Sequence, residues 1–157
     1  MKTNIGITDK NLQNSTTLLS GILSNEMVLY TKTRKFHWNV AGESFMELHK
    51  LFEKQYKELE ESIDEVAERI GKLGFNTIGT MQAFLSLSVI KERPDKYAQP
   101  KDLLKELLTD HETMVVILRK GIDESSNKNK DAGTADFLTG FMEQHETTAW
   151  ILRRYLN

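Results

Sequence analysis

Apolar residues recur every three or four positions through most of this chain, which is the spacing of one buried face on an α-helix. The clearest case covers residues 43–72, where polar side chains fill the other positions. Glycines at positions 71, 74 and 79 end the pattern, because glycine weakens a helix interior and favours its C-terminal end. The apolar stripe comprises Phe45, Leu48, Phe52, Tyr56, Leu59, Ile63, Val66, Ile70 and Leu73.

Three other segments have the same period, so the sequence predicts four long helices. The first begins near Asn14 or Ser15, which are both suitable N-cap residues, and continues towards Trp38. The third covers about 102–121 and the fourth about 134–156, with a polar loop between them.

A short extra helix is expected between the second and third long helices. The residues between Gly79 and Pro94 carry several apolar side chains and form a longer connection than a helical bundle needs. Four long helices with one short insertion make an all-α four-helix bundle. We therefore expect a tail over residues 1–13 and one bundle domain over residues 14–157.

The composition narrows the possible functions. The chain has 157 residues, enough for one domain with a sizeable core, and it lacks cysteine, which excludes disulfides and thiolate metal sites. Its net charge of -2 argues against a generally nucleic-acid-binding surface. No apolar run reaches the roughly 18 residues needed to span a bilayer. We expect a cytoplasmic protein that has no membrane partner.

A polar stripe lies beside the apolar one on the second helix. His49 and Glu53 are four residues apart, as are Asp64 and Glu68, so each pair lies on one side of the helix. Imidazole mixed with carboxylate suits iron, manganese or zinc. The alternative is a solvated acidic face without any ligand, since residues 53–69 contain seven acids and three bases. Spacing alone leaves both interpretations open.

These residues cannot close a metal site within one chain. His49 and Asp64 are fifteen positions apart, about 22 Å along a helix, whereas ligand bonds are about 2 Å long. A second copy of the helix, antiparallel across a two-fold axis near residues 57–58, would bring the acidic pair of one subunit opposite His49 of the other. His37, just across a short turn, can reach the same cluster. The chain has no Glu-x-x-His motif, which argues against a di-iron centre inside one bundle.

The residues around the two histidines closely resemble the signature of the Dps family of mini-ferritins. The resemblance covers nearly the whole chain and includes the D-x-x-T-A-D string over 131–136. It implies a ferritin-like four-helix bundle. The matching positions are His37, Trp38, Asn39, Gly42, Phe45, Leu48, His49, Phe52, Glu53, Tyr56, Asp64, Ala67, Glu68, Arg69 and Ile70.

The family resemblance also implies an activity. Members form a hollow homododecamer, built from two-fold dimers, that oxidises Fe(II) with hydrogen peroxide or oxygen, stores the ferric mineral and protects against oxidative stress. The metal would be iron, with zinc as an alternative occupant. Position 53 is an aspartate in many members, and the glutamate here reaches further. The implied ferroxidase centre comprises His37, His49 and Glu53 of one chain, Asp64 and Glu68 of the partner subunit, and the adjacent Trp38.

Other acidic and imidazole side chains are weaker candidates. By the same resemblance, Asp123, Asp131 and Asp136 would line an iron-entry pore, because acidic rings attract cations. Helix capping is the alternative role for Asp131. His111 and His145 lie among apolar residues of the third and fourth helices, where we expect hydrogen-bonded core histidines rather than ligands.

Coating of DNA, with iron binding as a secondary property, is the alternative function. Some family members coat DNA through lysine-rich tails. The tail over residues 1–13 has only Lys2 and Lys10 against Asp9. Each phosphate contact needs a cation, so we expect any DNA binding to be weak.

Overall fold

Helices are the only regular elements among the residues that the structure describes. In the computed structural model, these residues are 3–93 and 99–157. The expected all-α fold, with a short helix between the second and third long ones, is confirmed. No helix in the described ranges is both long and apolar enough to cross a membrane. The elements are α1 (Asp9–Asn39), α2 (Phe45–Lys72), α3 (Met81–Leu87), α4 (Pro100–Asp123), a π-helical turn that continues α4 (Glu124–Lys128), and α5 (Ala132–Leu156).

Two helical hairpins form the bundle. α1 packs along α2, α4 packs along α5, and the short α3 lies against α1. The connection from α2 to α4 is long because it carries the chain from one hairpin to the other. Each long helix contributes leucine, isoleucine or phenylalanine side chains to one apolar core. The fully buried ones include Leu19, Ile22, Leu29, Phe36, Phe52, Ile70, Leu107, Leu118 and Leu138.

A buried asparagine fixes the chain that follows α3. The side chain of Asn25 on α1 accepts three hydrogen bonds through its Oδ1 atom. The donors are the main-chain N–H groups of Val89 and Ile90, each at 3.0 Å, and the hydroxyl group of Ser88 at 3.1 Å. This amide supplies the partners that non-helical main chain needs when it is buried. Pro94, expected to end this segment, lies outside the described residues.

The first helix is longer than its periodicity predicts. α1 begins at Asp9 rather than near Asn14 or Ser15, because the hydroxyl group of Thr8 caps it by accepting a hydrogen bond from the N–H group of Asn11 at 3.3 Å. The first turn of α1 therefore occupies part of the predicted tail. The first two residues of that tail lie outside the described residues.

The polar loop expected before the last helix is largely helical. α4 continues through the π-helical turn Glu124–Lys128, and α5 begins at Ala132 rather than at Thr134. α4 itself begins at Pro100 instead of Asp102. Proline suits the first turn of a helix because its missing N–H group would have no helical partner there.

A buried ammonium group links α1 to α4. The side chain of Lys32 is 4% exposed, and its Nζ atom lies 2.7 Å from Oδ2 of Asp110 and 3.1 Å from Oε1 of Glu106. Arg93 pairs with the other carboxylate oxygen of Glu106. Burial raises the pKa of Asp110, although the hydrogen bond from Lys32 opposes this effect. The negative charge of the buried Asp110 carboxylate is therefore compensated only while Lys32 is present.

Replacing Lys32 with methionine is expected to lower the free energy of unfolding by about 3 kcal/mol, because it leaves a buried carboxylate without its cation. Lys54→Met is the control, since that lysine is exposed and surface substitutions change stability little. Chemical denaturation followed by circular dichroism measures both variants. Equal stability of the two would contradict the role assigned to Lys32.

Candidate metal centre

Two histidines face each other where α1 ends and α2 begins. The Nδ1 atom of His37 lies 2.8 Å from the main-chain oxygen of His49, and Nδ1 of His49 lies 2.9 Å from the main-chain oxygen of His37. The two rings are stacked, with their centroids 3.7 Å apart. Because a carbonyl oxygen only accepts, each Nδ1 donates its N–H group, and in a neutral ring the lone pair is then on Nε2.

This arrangement is the one that metal-binding histidines usually show. A histidine that binds metal through one ring nitrogen usually donates its other N–H to a carbonyl or carboxylate group, which fixes its orientation. Here the main-chain oxygen of each histidine accepts the hydrogen bond from the ring of the other. The turn between the helices contains Gly42 at φ +113°, a left-handed conformation that favours glycine.

Aromatic rings enclose the histidine pair. The ring of Phe45 lies 5.0 Å from the ring of His49, and Tyr56 meets His37 edge-on at 5.2 Å. Both distances are between ring centroids and lie in the range of favourable aromatic contacts. The two imidazoles therefore lie between packed side chains that restrict their movement.

A guanidinium group that sequence reasoning missed lies beside this cluster. Arg34 lies over the rings of Tyr56 at 4.5 Å and of Tyr30 and Trp38 at 5.5 Å. It donates a hydrogen bond to the hydroxyl group of Tyr30 at 2.6 Å, which raises the pKa of Arg34. Trp38 itself is 63% exposed. The spacing of four residues from Tyr30 to Arg34 and from Arg34 to Trp38 is the signal that could have revealed the cluster.

Glu53 lies one turn after His49 and is paired with a lysine. Its Oε1 atom accepts a hydrogen bond from Nζ of Lys57 at 2.6 Å. That ammonium group is the main cause of the lowered pKa of Glu53, and the imidazoles of His37 and His49 lower it further. The carboxylate is therefore held by the lysine, one helical turn after His49.

The other two predicted ligands, Asp64 and Glu68, are exposed farther along α2. The helical rise between His49 and Asp64 is about 22 Å. Among the residues that the structure describes, no three His, Asp or Glu side chains lie close enough to hold one metal ion. One chain therefore presents two separate groups. We call them the histidine half-site, which comprises His37, His49 and Glu53, and the acidic half-site, which comprises Asp64 and Glu68.

Asp131 is a helix cap. Its Oδ1 atom accepts a hydrogen bond from the main-chain N–H group of Thr134 at 2.9 Å and lies 3.1 Å from Nη2 of Arg69. Burial acts to raise the pKa of Asp131, but hydrogen bonds from Thr134 bring it below its usual value. Only 1% of this residue is exposed on the single chain, which agrees with the capping role, and its pore role stays a prediction. Asp123 and Asp136 are exposed, and their pore role stays a prediction.

The other two histidines belong to a buried chain of hydrogen bonds at the bundle centre. Nδ1 of His111 lies 2.8 Å from Nδ1 of His145, whose Nε2 atom lies 2.8 Å from Oε1 of Glu26. All three residues are buried, so these are core histidines, as expected. Sequence reasoning missed Glu26, although its position four residues after Ile22 and three after Leu23 places it on the apolar side of α1. Gln55, also buried, makes no hydrogen bond through either amide atom.

Known proteins similar to this chain point to one family. Residues 16–157 match a family model described as a ferritin-like domain. A low temperature-induced protein of Nostoc sp. strain PCC 7120 is 42% identical over 153 residues, which cover 98% of this chain and 86% of that protein. DNA protection during starvation protein 2 of Bacillus anthracis is 39% identical over 131 residues, covering 83% of this chain and 88% of that protein.

Structural similarity agrees with the sequence matches. The Dps protein of Vibrio cholerae O1, described as a member of a broad superfamily of ferritin-like diiron-carboxylate proteins, superimposes with a TM-score of 0.93. It is 29% identical in sequence, and the match covers 100% of this chain and 98% of that one.

Acidification is expected to destabilise the fold through His111. Burial, and then the nearby His145, lowers the pKa of His111 well below its usual value, whereas the unfolded chain titrates near about 6.5. Below that pH the unfolded state binds more protons than the folded state, so stability falls as the pH drops. Melting temperatures measured by circular dichroism between about pH 7.5 and 5.5 test this.

The variant His111→Phe lacks the titrating group and should show a shallower dependence of melting temperature on pH. Identical slopes for the variant and the unaltered protein would contradict the assignment.

Proposed function

Because this chain belongs to the Dps family of mini-ferritins, within the ferritin-like proteins, we propose that it oxidises Fe(II) and stores the ferric product as a mineral. Iron storage and detoxification would then be one process, since ferrous iron and its oxidant are consumed together. The protein would act in the cytoplasm as protection against oxidative stress.

The reciprocally bonded pair His37 and His49 is the observation that supports this proposal most directly. It offers two imidazole rings one helical turn from the carboxylate of Glu53, and the acidic half-site is out of reach on the same chain. A two-fold dimer would bring the two kinds of half-site together. The proposed ferroxidase centre comprises His37, His49 and Glu53 with Asp64 and Glu68 of the partner subunit.

The ligand types fit iron as a substrate. Imidazole and carboxylate bind Fe(II) without a redox-active sulfur, and the anionic oxygens stabilise the higher charge of Fe(III). Each hydrogen peroxide would take one electron from each of two Fe(II) ions, accept two protons and leave as two water molecules. Oxygen is the alternative oxidant. Zinc would occupy the same ligands without turnover, because Zn²⁺ has no redox chemistry.

Trp38 would act beside the centre rather than as a ligand. It follows His37 directly, and its ring contacts the guanidinium group of Arg34 while remaining open to solvent. An exposed indole next to an oxidation site is placed to intercept oxidising equivalents before they damage other molecules.

Assembly into a homododecamer of two-fold dimers would complete every centre and enclose the mineral. Several large apolar side chains are open to solvent on the single chain, as expected for surfaces that other subunits cover. Those more than half exposed include Trp150, Val116, Val89 and Met81.

Removing the acidic half-site is expected to abolish peroxide-driven iron oxidation while assembly is retained. The double variant Asp64→Ala, Glu68→Ala deprives each centre of its partner carboxylates, and both side chains are exposed, so the bundle core is untouched. Stopped-flow absorbance of ferric iron gives the rate, and size-exclusion chromatography gives the assembly. The control is Glu61→Ala, Glu65→Ala, which removes the same charge from the same helix. An unchanged oxidation rate in the first variant would refute the proposed centre.

Coating of DNA, with iron binding secondary, is the second candidate function. Relatives from Bacillus anthracis, Porphyromonas gingivalis and Helicobacter pylori bear the name DNA protection during starvation protein. The described residues offer few contacts for DNA phosphates, because Lys10 lies in the first turn of α1 next to the acidic Asp9. An assembled shell would still present many copies, which adds avidity.

We expect the assembled protein to retard linear duplex DNA weakly at about 50 mM salt and not at about 200 mM, since contacts to phosphate weaken steeply with salt. A gel-shift series across this range measures it. Strong retardation at the upper end would instead favour the DNA-coating function.

A further inference from the structure

We infer that Lys57 competes with iron for Glu53, so that metal binding at the histidine half-site requires the carboxylate to leave the ammonium group. The inference rests on the proposed ferroxidase function and adds a residue that would set the metal affinity of its centre. Lys57 is not among the proposed ligands, and it would act through Glu53.

The ion pair between these side chains is short and exposed. Nζ of Lys57 lies 2.6 Å from Oε1 of Glu53, whereas the neighbouring pair of Lys54 and Glu58 on the same helix is 3.6 Å apart. The side chain of Lys57 is 59% exposed and that of Glu53 is 39% exposed. The contact can therefore open without disturbing the bundle core.

Glu53 has two possible partners, one turn away in opposite directions along α2. His49 precedes it by four residues and Lys57 follows it by four, and both positions are neighbours on one helix face. The three side-chain torsions of a glutamate allow its carboxylate to turn towards either one. In the structure the carboxylate contacts the lysine.

Charge sets the direction of the effect. A divalent cation carries twice the charge of the ammonium group and gains imidazole ligands as well, so sufficient metal displaces Lys57. Until then the lysine occupies the carboxylate and repels the incoming cation. Exposed ion pairs are weak, so the resulting loss of metal affinity is about two- to fivefold.

Anaerobic titration of the assembled protein with Co(II), followed by its visible absorption, tests this competition. Lys57→Met is expected to tighten Co(II) binding about two- to fivefold, whereas Lys57→Arg keeps the charge and should change it little. Lys54→Met is the matched control, because it removes the same charge from the same helix but its partner is Glu58.

A double-mutant cycle separates competition for Glu53 from general repulsion of the metal. In a Glu53→Gln background, Lys57→Met should tighten Co(II) binding no more than Lys54→Met does. An equal gain in both backgrounds, or no gain in either, would overturn the inference while the proposed function stands. If the unaltered protein shows no Co(II) binding that depends on His37 and His49, the proposed function fails and the inference fails with it.

Discussion

Two hydrogen bonds between side chains and main chain, which join His37 to His49, are the contacts on which the candidate centre depends. The main-chain oxygen of His37 lies in the last turn of α1, where carbonyl groups lack a helical partner. The ring of His49 supplies that partner, so the same contact ends one helix and orients a ring on the next. The helical hairpin and the free imidazole nitrogens therefore have a common cause. Changing either histidine alters both the turn and the centre.

A second constraint comes from the uninterrupted course of α2. One helix carries the histidine half-site near its start and the acidic half-site about 22 Å farther on, and its fixed rise prevents them from meeting. An antiparallel copy with the same separation would satisfy both half-sites at once. Each subunit would then supply imidazoles to one centre and carboxylates to another. The length of the helix between His49 and Asp64 would set the distance between the two centres of a dimer.

Helical periodicity was enough to predict the four long helices, the short insertion and most of the core, because apolar spacing reports directly on which face is buried. It did not predict where helices end. Those ends depend on single side chains, such as the Thr8 hydroxyl that begins α1 early. The buried carboxylate of Asp131 contacts Arg69, a residue distant in sequence, so helical periodicity could not reveal this contact. The pairing of His37 with His49 was similarly hidden, since spacing brings residues near each other but cannot show which atoms bond.

The buried chain from Glu26 through His145 to His111 has a consequence for how the helices align. Its members come from α1, α5 and α4, and each contact needs one polar atom opposite another. Sliding any of these helices by one turn, about 5.4 Å, would leave a buried carboxylate or imidazole facing leucine side chains. An all-apolar core tolerates such a slide far more easily, since one leucine replaces another. The chain of polar contacts thus selects a single register for the bundle. That register also fixes the position of His37 along α1 relative to His49 on α2.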